Sequence, residues 1–372
     1  MVYRVCRPAC PGAPHLIGEP VLDIAPDVRL RARRYTAPVR HGEMRVVGSD
    51  ERVEGWLVEA TDGHRSGWWG PVSAATAALA CTLFDATGIT GITSPARWAE
   101  TAKRRNRHSH AGFGSVATGA AELALWDLAG QRAQLPVWAL WGGQRPEPRP
   151  CYLTMFGVRP ESPDAGHLFS VVRDHPTVIQ KWDATDCAAA GSPVAMADRA
   201  GGPARLAIDF KGVAEPEAAE AACRALPAGL AWIEEPLAPW ELHRAPELAL
   251  TSRLAAGEHC YGVGEIAGLR SAGVTVFQPD GVFCGGLGEL AAIVAAIAQP
   301  GEIVAPHGGG LLPALHLAAA GYAIDLLEWH VRLEPRRLAH LAHAAELGAD
   351  LLLRATDRPG WAGDLSPEVI LS

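Results

Sequence analysis

The chain has 372 residues, 48% of them apolar, and a formal net charge of -8. That length exceeds one compact domain and suits a large domain with a smaller partner. The charge leaves no basic face for nucleic acid or an anionic membrane, no apolar run is long enough to span a bilayer and no targeting segment is visible, so a cytoplasmic protein acting on small molecules is expected.

The first ordered part reads as strand, loop, strand. Val21 to Arg34 alternates apolar and polar residues, the polar stretch Thr36 to Glu51 follows, and Val53 to Trp69 reads as a hairpin turning at Asp62-Gly63. Helical patterns come next and end in Ser115 to Gly143, whose Ala- and Leu-rich first half is apolar on nearly every face and therefore buried. The Pro-rich joint Gln144 to Pro150 marks a boundary. The expected division is an N-terminal α+β domain over 1-147, a second domain over 148-330, and a C-terminal segment over 331-372. The eight cysteines are scattered without a CxxC pair and read as free thiols.

From Cys151 onward short apolar runs alternate with helical stretches, the signature of βα units and a parallel sheet. The runs stop on polar residues: Lys181, Asp209, Glu234, Glu258, Asp280, His307 and Glu328. Neighbours in that series are separated by about one strand plus its helix. A closed (β/α)8 barrel brings consecutive strand ends together on one rim, where barrel enzymes do their chemistry. An open doubly wound sheet would spread them along an edge, and no GxGxxG follows a strand.

Asp209, Glu234 and Glu258 would then stand on three successive strand ends. Such carboxylates repel one another unless a cation lies between them, and an all-oxygen set favours Mg2+ before Mn2+. For any single acid, a solvated loop position or a helix cap is the commoner explanation; three at matched spacing make that unconvincing. His307 ends an apolar run ahead of three glycines, and Asp280 on the neighbouring strand end could hold its tautomer as it acts as a general base. Lysine occurs only at Lys103, Lys181 and Lys211, two of them at expected strand ends in a chain otherwise using arginine. Lysine is the cation whose pKa a site can lower to a useful value.

ELALWDLAGQRAQLPVWALWGG resembles the signature that closes the capping domain of the enolase superfamily, and WIEEPL, AAGEH, QPD followed by GG, APHGG and DRPG appear in that family's order. The resemblance covers nearly the whole chain from Val21 onward and implies a modified TIM-like barrel under an α+β capping domain completed by the C-terminal tail. It implies Asp209, Glu234 and Glu258 as metal ligands, and His307 with Asp280 as the His-Asp dyad of the mandelate racemase-like branch. It also implies Glu328 as the acid that hydrogen-bonds the substrate carboxylate, Lys181 as the lysine on the opposite face, and a homo-oligomer. The QPDGVFCGG segment lacks the sixth-strand lysine of the muconate-cycloisomerase and dipeptide-epimerase branch.

Two positions depart from the family pattern. Its second strand usually ends in KxK, whereas Ile179-Gln180-Lys181 stands here, and Lys211 replaces the usual Asn or His two residues past the first ligand. Lys211 could supply from the third strand the charge missing from the second. Arg40 and His41 lie in the loop where capping domains of this family reach the substrate. The implied activity is abstraction of the proton beside a carboxylate by a Lys or His base, through an enediolate stabilised by Mg2+. Dehydration of an acid sugar by a hydro-lyase is the leading outcome. Racemisation or epimerisation of a 2-hydroxy acid is the alternative; a barrel that binds a small molecule without turnover is the reading from another class.

Overall fold

The computed structural model describes residues 27-40, 52-144, 146-189, 191-297 and 299-372. Strands β1 (Arg29–Pro38), β2 (Arg52–Thr61) and β3 (Ser66–Val72) form an antiparallel sheet, and the C-terminal strand Ile370–Leu371 pairs with β1. Among the described residues the first strand runs on past the expected end at Arg34: Leu30, Tyr35 and Ala37 are its buried positions, so the apolar pattern continues through Thr36 to Pro38. Residues 21-26 and most of the Thr36 to Glu51 loop fall outside the described residues. The β2–β3 turn forms where expected, with Asp62 Oδ1 accepting from the backbone N–H groups of His64 and Arg65 at 2.9 and 2.8 Å.

Three helices cover this sheet. Ser73 caps α1 (Ala74–Thr87), Ser94 caps α2 (Pro95–Arg105) with Pro95 at the first turn, and α3 (Gly112–Ala133) follows. α3 is buried on most faces because it packs on β3, α1 and α2 on one side and on the barrel on the other. Its Glu122 accepts from the N–H groups of Leu287 and Gly288, at 2.8 and 3.1 Å, at the start of the helix Leu287–Ala296. Lys103 on α2 donates to the carbonyl of Cys284 at 2.6 Å. These contacts lock the segment that carries Asp280 against the cap.

The larger part is a parallel barrel: β4 (Arg149–Thr154), β5 (Gln180–Asp183), β6 (Leu206–Asp209), β7 (Trp232–Glu234), β8 (Leu254–Ala256), β9 (Val274–Phe277), β10 (Ile303–Val304) and β11 (Leu327–His330). Consecutive strands from β4 to β10 pair in parallel, and β11 pairs with β4. The N–H groups of Asp325 and Leu326 donate to the Val304 carbonyl at 2.9 and 3.2 Å and bridge β10 to β11. Inside the barrel Tyr152, Trp232 and Ile179 interlock with Ala207, Ala255 and Ala305, large against small, giving an apolar floor. Among the described residues no helix is long and apolar enough to cross a membrane, and the six described cysteines are free.

Candidate active site

The residues at which the apolar runs stop gather at the C-terminal ends of the barrel strands. Asp209 ends β6 and Glu234 ends β7, and the two are register partners. Lys181 lies on β5 and Glu328 on β11, while Glu258, Asp280 and His307 sit just past β8, β9 and β10.

Asp280 and His307 form a dyad. His307 Nδ1 is 2.7 Å from Asp280 Oδ2, while Asp280 Oδ1 accepts from the N–H groups of Val282 and Phe283 at 2.7 and 2.9 Å. Asp280 is thus surrounded by donors, which places the imidazole proton on Nδ1 and leaves Nε2 for chemistry. Nε2 stands 3.4 Å from Glu258 Oε2. Burial works to lower the pKa of His307, but the charge of Glu258 and then those of Asp280 and Glu328 outweigh it and push it up to about 10, so the ring becomes a base only where a cation offsets Glu258. The glycines after His307 are dictated by this closeness: a Cβ at Gly309 would come 2.3 Å from Asp280 Oδ2, and one at Gly310 would come 2.5 Å from the Gly281 nitrogen.

Lys181 is 2% exposed and its ammonium lies 2.5 Å from Glu234, 2.9 Å from Glu328 and 3.5 Å from Asp209. Burial works against its charge, but these carboxylates hold its pKa well above the ordinary value. It stands among the strand-end carboxylates as their counter-charge. Glu328 is fully buried and accepts from Thr154 Oγ1 and Lys181 on Oε1, and from the Gly308 N–H on Oε2 at 2.6 Å. Burial would raise its pKa, yet Lys181, then His330 and His307, hold it well below the usual carboxylate range. Its three protein partners all present donors, so toward them Glu328 is the acceptor.

Asp209, Glu234 and Glu258 are an all-oxygen donor set suited to a hard divalent cation. Burial, then the charge of Asp209, pushes Glu234 up to about 8, and burial also raises Glu258. Two carboxylates strained in this way are relieved by a cation, so the residues fit one. Among the described residues, the compact groups with donor atoms within 4.8 Å are His307, Glu328 and His330, and Glu235, Glu258 and His259. Asp209, Glu234 and Glu258 are spread more widely, with the Lys181 ammonium drawing Asp209 and Glu234 toward itself.

Lys211 follows β6 in a left-handed conformation (φ 58°), its N–H donating to Asp209 Oδ1 at 2.8 Å and its ammonium paired with Asp183 on β5. Asp183 was not singled out from the sequence, although it lies two residues beyond Lys181 on the same strand face. Arg40 is engaged elsewhere: its guanidinium binds Ser366, Glu368 and the Ala342 carbonyl in the C-terminal segment. His41 lies outside the described residues. Glu334 and Arg337, beyond β11, share a cavity with His307 and were also missed. Their only sequence signal is an acid and a base three residues apart.

Residues 171-369, over half of the chain, match the family model described as enolase C-terminal domain-like. The chain belongs to the enolase superfamily. Several of the similar solved structures are described as mandelate racemase/muconate lactonizing enzymes or proteins. A superfamily member from Agrobacterium tumefaciens is 19% identical with a TM-score of 0.75, covering 94% of this chain and 100% of that one. A Bradyrhizobium enolase complexed with magnesium and mandelic acid is 18% identical with a TM-score of 0.73, covering 92% and 97%. A mandelate racemase/muconate lactonizing enzyme from Polaromonas sp. JS666 is 24% identical with a TM-score of 0.68, covering 93% and 99%. The superfamily's capping domain and (β/α)8 barrel correspond to the two layers described above.

Proposed function

We propose that this enolase-superfamily chain removes the proton beside a carboxylate with Mg2+ as cofactor, and that the outcome is loss of water from an aldonate or aldarate to give a 2-keto-3-deoxy acid. The observation that carries the reading is the His307–Asp280 dyad at 2.7 Å beside three carboxylates on adjacent strand ends. Asp209, Glu234 and Glu258 would hold the cation, with Mn2+ as a substitute. When bound, it would stabilise the negative charge that develops on the substrate carboxylate. The magnesium in the Bradyrhizobium relative supports this choice.

His307 takes the α-proton at Nε2, and Asp280 orients the ring and stabilises the imidazolium. Lys181 holds Glu234, Asp209 and Glu328 in place and keeps positive charge beneath the reacting carboxylate. Asp183 and Lys211 offer an acceptor and a donor side by side, a pairing suited to neighbouring hydroxyls.

A second reading, racemisation or epimerisation of a 2-hydroxy acid, is favoured by one observation. The cavity beside His307 is walled by Trp69, Val116, Phe283, Leu311 and Leu312, which suits an apolar substituent. Incubation with Mg2+ and a panel of aldonates, aldarates and mandelate in D2O, followed by NMR, separates the two. Keto acid that disappears in His307→Asn supports dehydration. Inverted, α-deuterated acid without keto acid supports the second reading, and neither product, with Mg2+ binding demonstrated, would sink both.

A further inference from the structure

A cavity of about 270 Å³ opens between the β3–α1 link of the cap and the ends of β9 and β10, and His307 forms part of its wall. Glu334 lines the same cavity. It opens the short helix Glu334–Arg337 just beyond β11, and it is 2% exposed. Arg337 is its partner, with Nη1 3.4 Å from Oε2, and the same Nη1 donates to the carbonyl of Gly308 at 3.1 Å. The guanidinium thereby ties Glu334 to the residue that follows the base. Most of the remaining lining is apolar.

A carboxyl in such a place is costly, since one long hydrogen bond to a partly exposed arginine replaces its water. Burial pushes Glu334 up to about 7, against the pull of Arg337. The charged groups facing it are Arg337 from its own turn, with Glu328 and His307 from the barrel ends. Abstraction of the α-proton gives it no task. Elimination of a hydroxyl does, because hydroxide is a poor leaving group and needs a proton as the bond breaks.

We propose that Glu334, positioned by Arg337, is the general acid that protonates the departing β-hydroxyl. The assignment rests on the dehydration reading. His307 takes the α-proton; the electron pair left at the α-carbon forms the double bond to the β-carbon. The bond from the β-carbon to oxygen breaks with its pair going to oxygen, and that oxygen takes the Glu334 proton and leaves as water. The enol product tautomerises to the keto acid and Glu334 is left ionised, to regain a proton from solvent.

The test uses Glu334→Gln and Glu334→Asp in the full-length Mg2+-loaded enzyme, with the acid sugar that the wild type turns over and its β-fluoro analogue. Keto acid from the natural acid should fall at least about 100-fold in Glu334→Gln, within the range lost with a general acid. Exchange of the α-hydrogen with D2O in recovered substrate should persist, and fluoride release from the analogue should stay close to wild type, since fluoride needs no such help. Glu334→Asp, which keeps an acid of shorter reach, should recover part of the lost rate. Equal loss of exchange, fluoride release and dehydration in both variants would reduce Glu334 to a structural role and overturn the proposal, as would undiminished dehydration in Glu334→Gln. A wild type that exchanges the α-hydrogen but forms no keto acid from any member of the panel would instead remove the dehydration reading, and this assignment with it.

Discussion

Lys181 carries the electrostatic balance of the barrel mouth. Its ammonium contacts carboxylates from three other strands, and with 2% exposure there is little solvent to screen them. Removing one partner of a buried charge set leaves the others uncompensated, at a cost of about 3–5 kcal/mol. Lys181→Met should therefore lower the unfolding free energy in EDTA by roughly that amount, read by urea denaturation. An unchanged midpoint would show that water, not Lys181, neutralises the cluster. The proposed ligands make a separate prediction: loss of an outer-shell partner costs a metal site about 10–100-fold in affinity, so Asp209→Asn, Glu234→Gln and Glu258→Gln should each weaken Mg2+ binding by at least that much in calorimetry. Lys211→Met, beside but outside the proposed ligand set, should bind Mg2+ within about threefold of wild type, given its contact to Asp209 only through the backbone.

Among the elements, α3 and the helix Leu311–Ala319 hold cap and barrel together through buried polar groups. His316 accepts from the N–H of Trp138 at 3.1 Å through Nδ1 and donates from Nε2 to the Trp361 carbonyl at 3.0 Å, which fixes a neutral ring. Burial pushes its pKa down to about 3. Because the folded value lies below the unfolded one, about 6.5, this histidine's contribution is full above that pH and is lost as pH falls toward 3. Other groups titrate in the same window, among them Glu122 and Asp127, each pushed up to about 7 by burial, so the comparison with a variant isolates His316. The stability gap between wild type and His316→Gln should shrink by about 1.4 kcal/mol per pH unit below about pH 6.5; a gap independent of pH would contradict the buried neutral ring. At Gly67 the requirement is steric, since a Cβ would come 2.0 Å from the backbone nitrogen of Leu128 on α3.

At the scale of the whole molecule, the barrel was legible because its strands end abruptly on ionisable residues, and each such residue reached the C-terminal ends of the strands. The buried character of α3 was legible from its apolar composition. The extent of β1 was not, because Arg34 breaks the alternation Leu30-Arg31-Ala32-Arg33 and only the pairing with β2 carries the strand on to Pro38. Asp183 was hidden because the apolar run of the second strand stops at Lys181, whereas the strand itself continues through Asp183. Glu334 was hidden for a different reason: its nearness to His307 arises from a turn after the last strand and from the cap closing the cavity, and neither leaves a periodic trace.

The central claim is that His307 abstracts an α-proton with the help of a divalent cation. Its most direct test is release of deuterium into water from α-deuterated aldonates, aldarates and mandelate, followed by NMR with Mg2+, with EDTA and with Mg2+ restored, in wild type and His307→Asn. Release in the wild type that vanishes in EDTA, returns with Mg2+ and is lost in His307→Asn is the predicted result, whichever product forms afterwards. Release that continues in EDTA or survives in His307→Asn at the wild-type rate would contradict it.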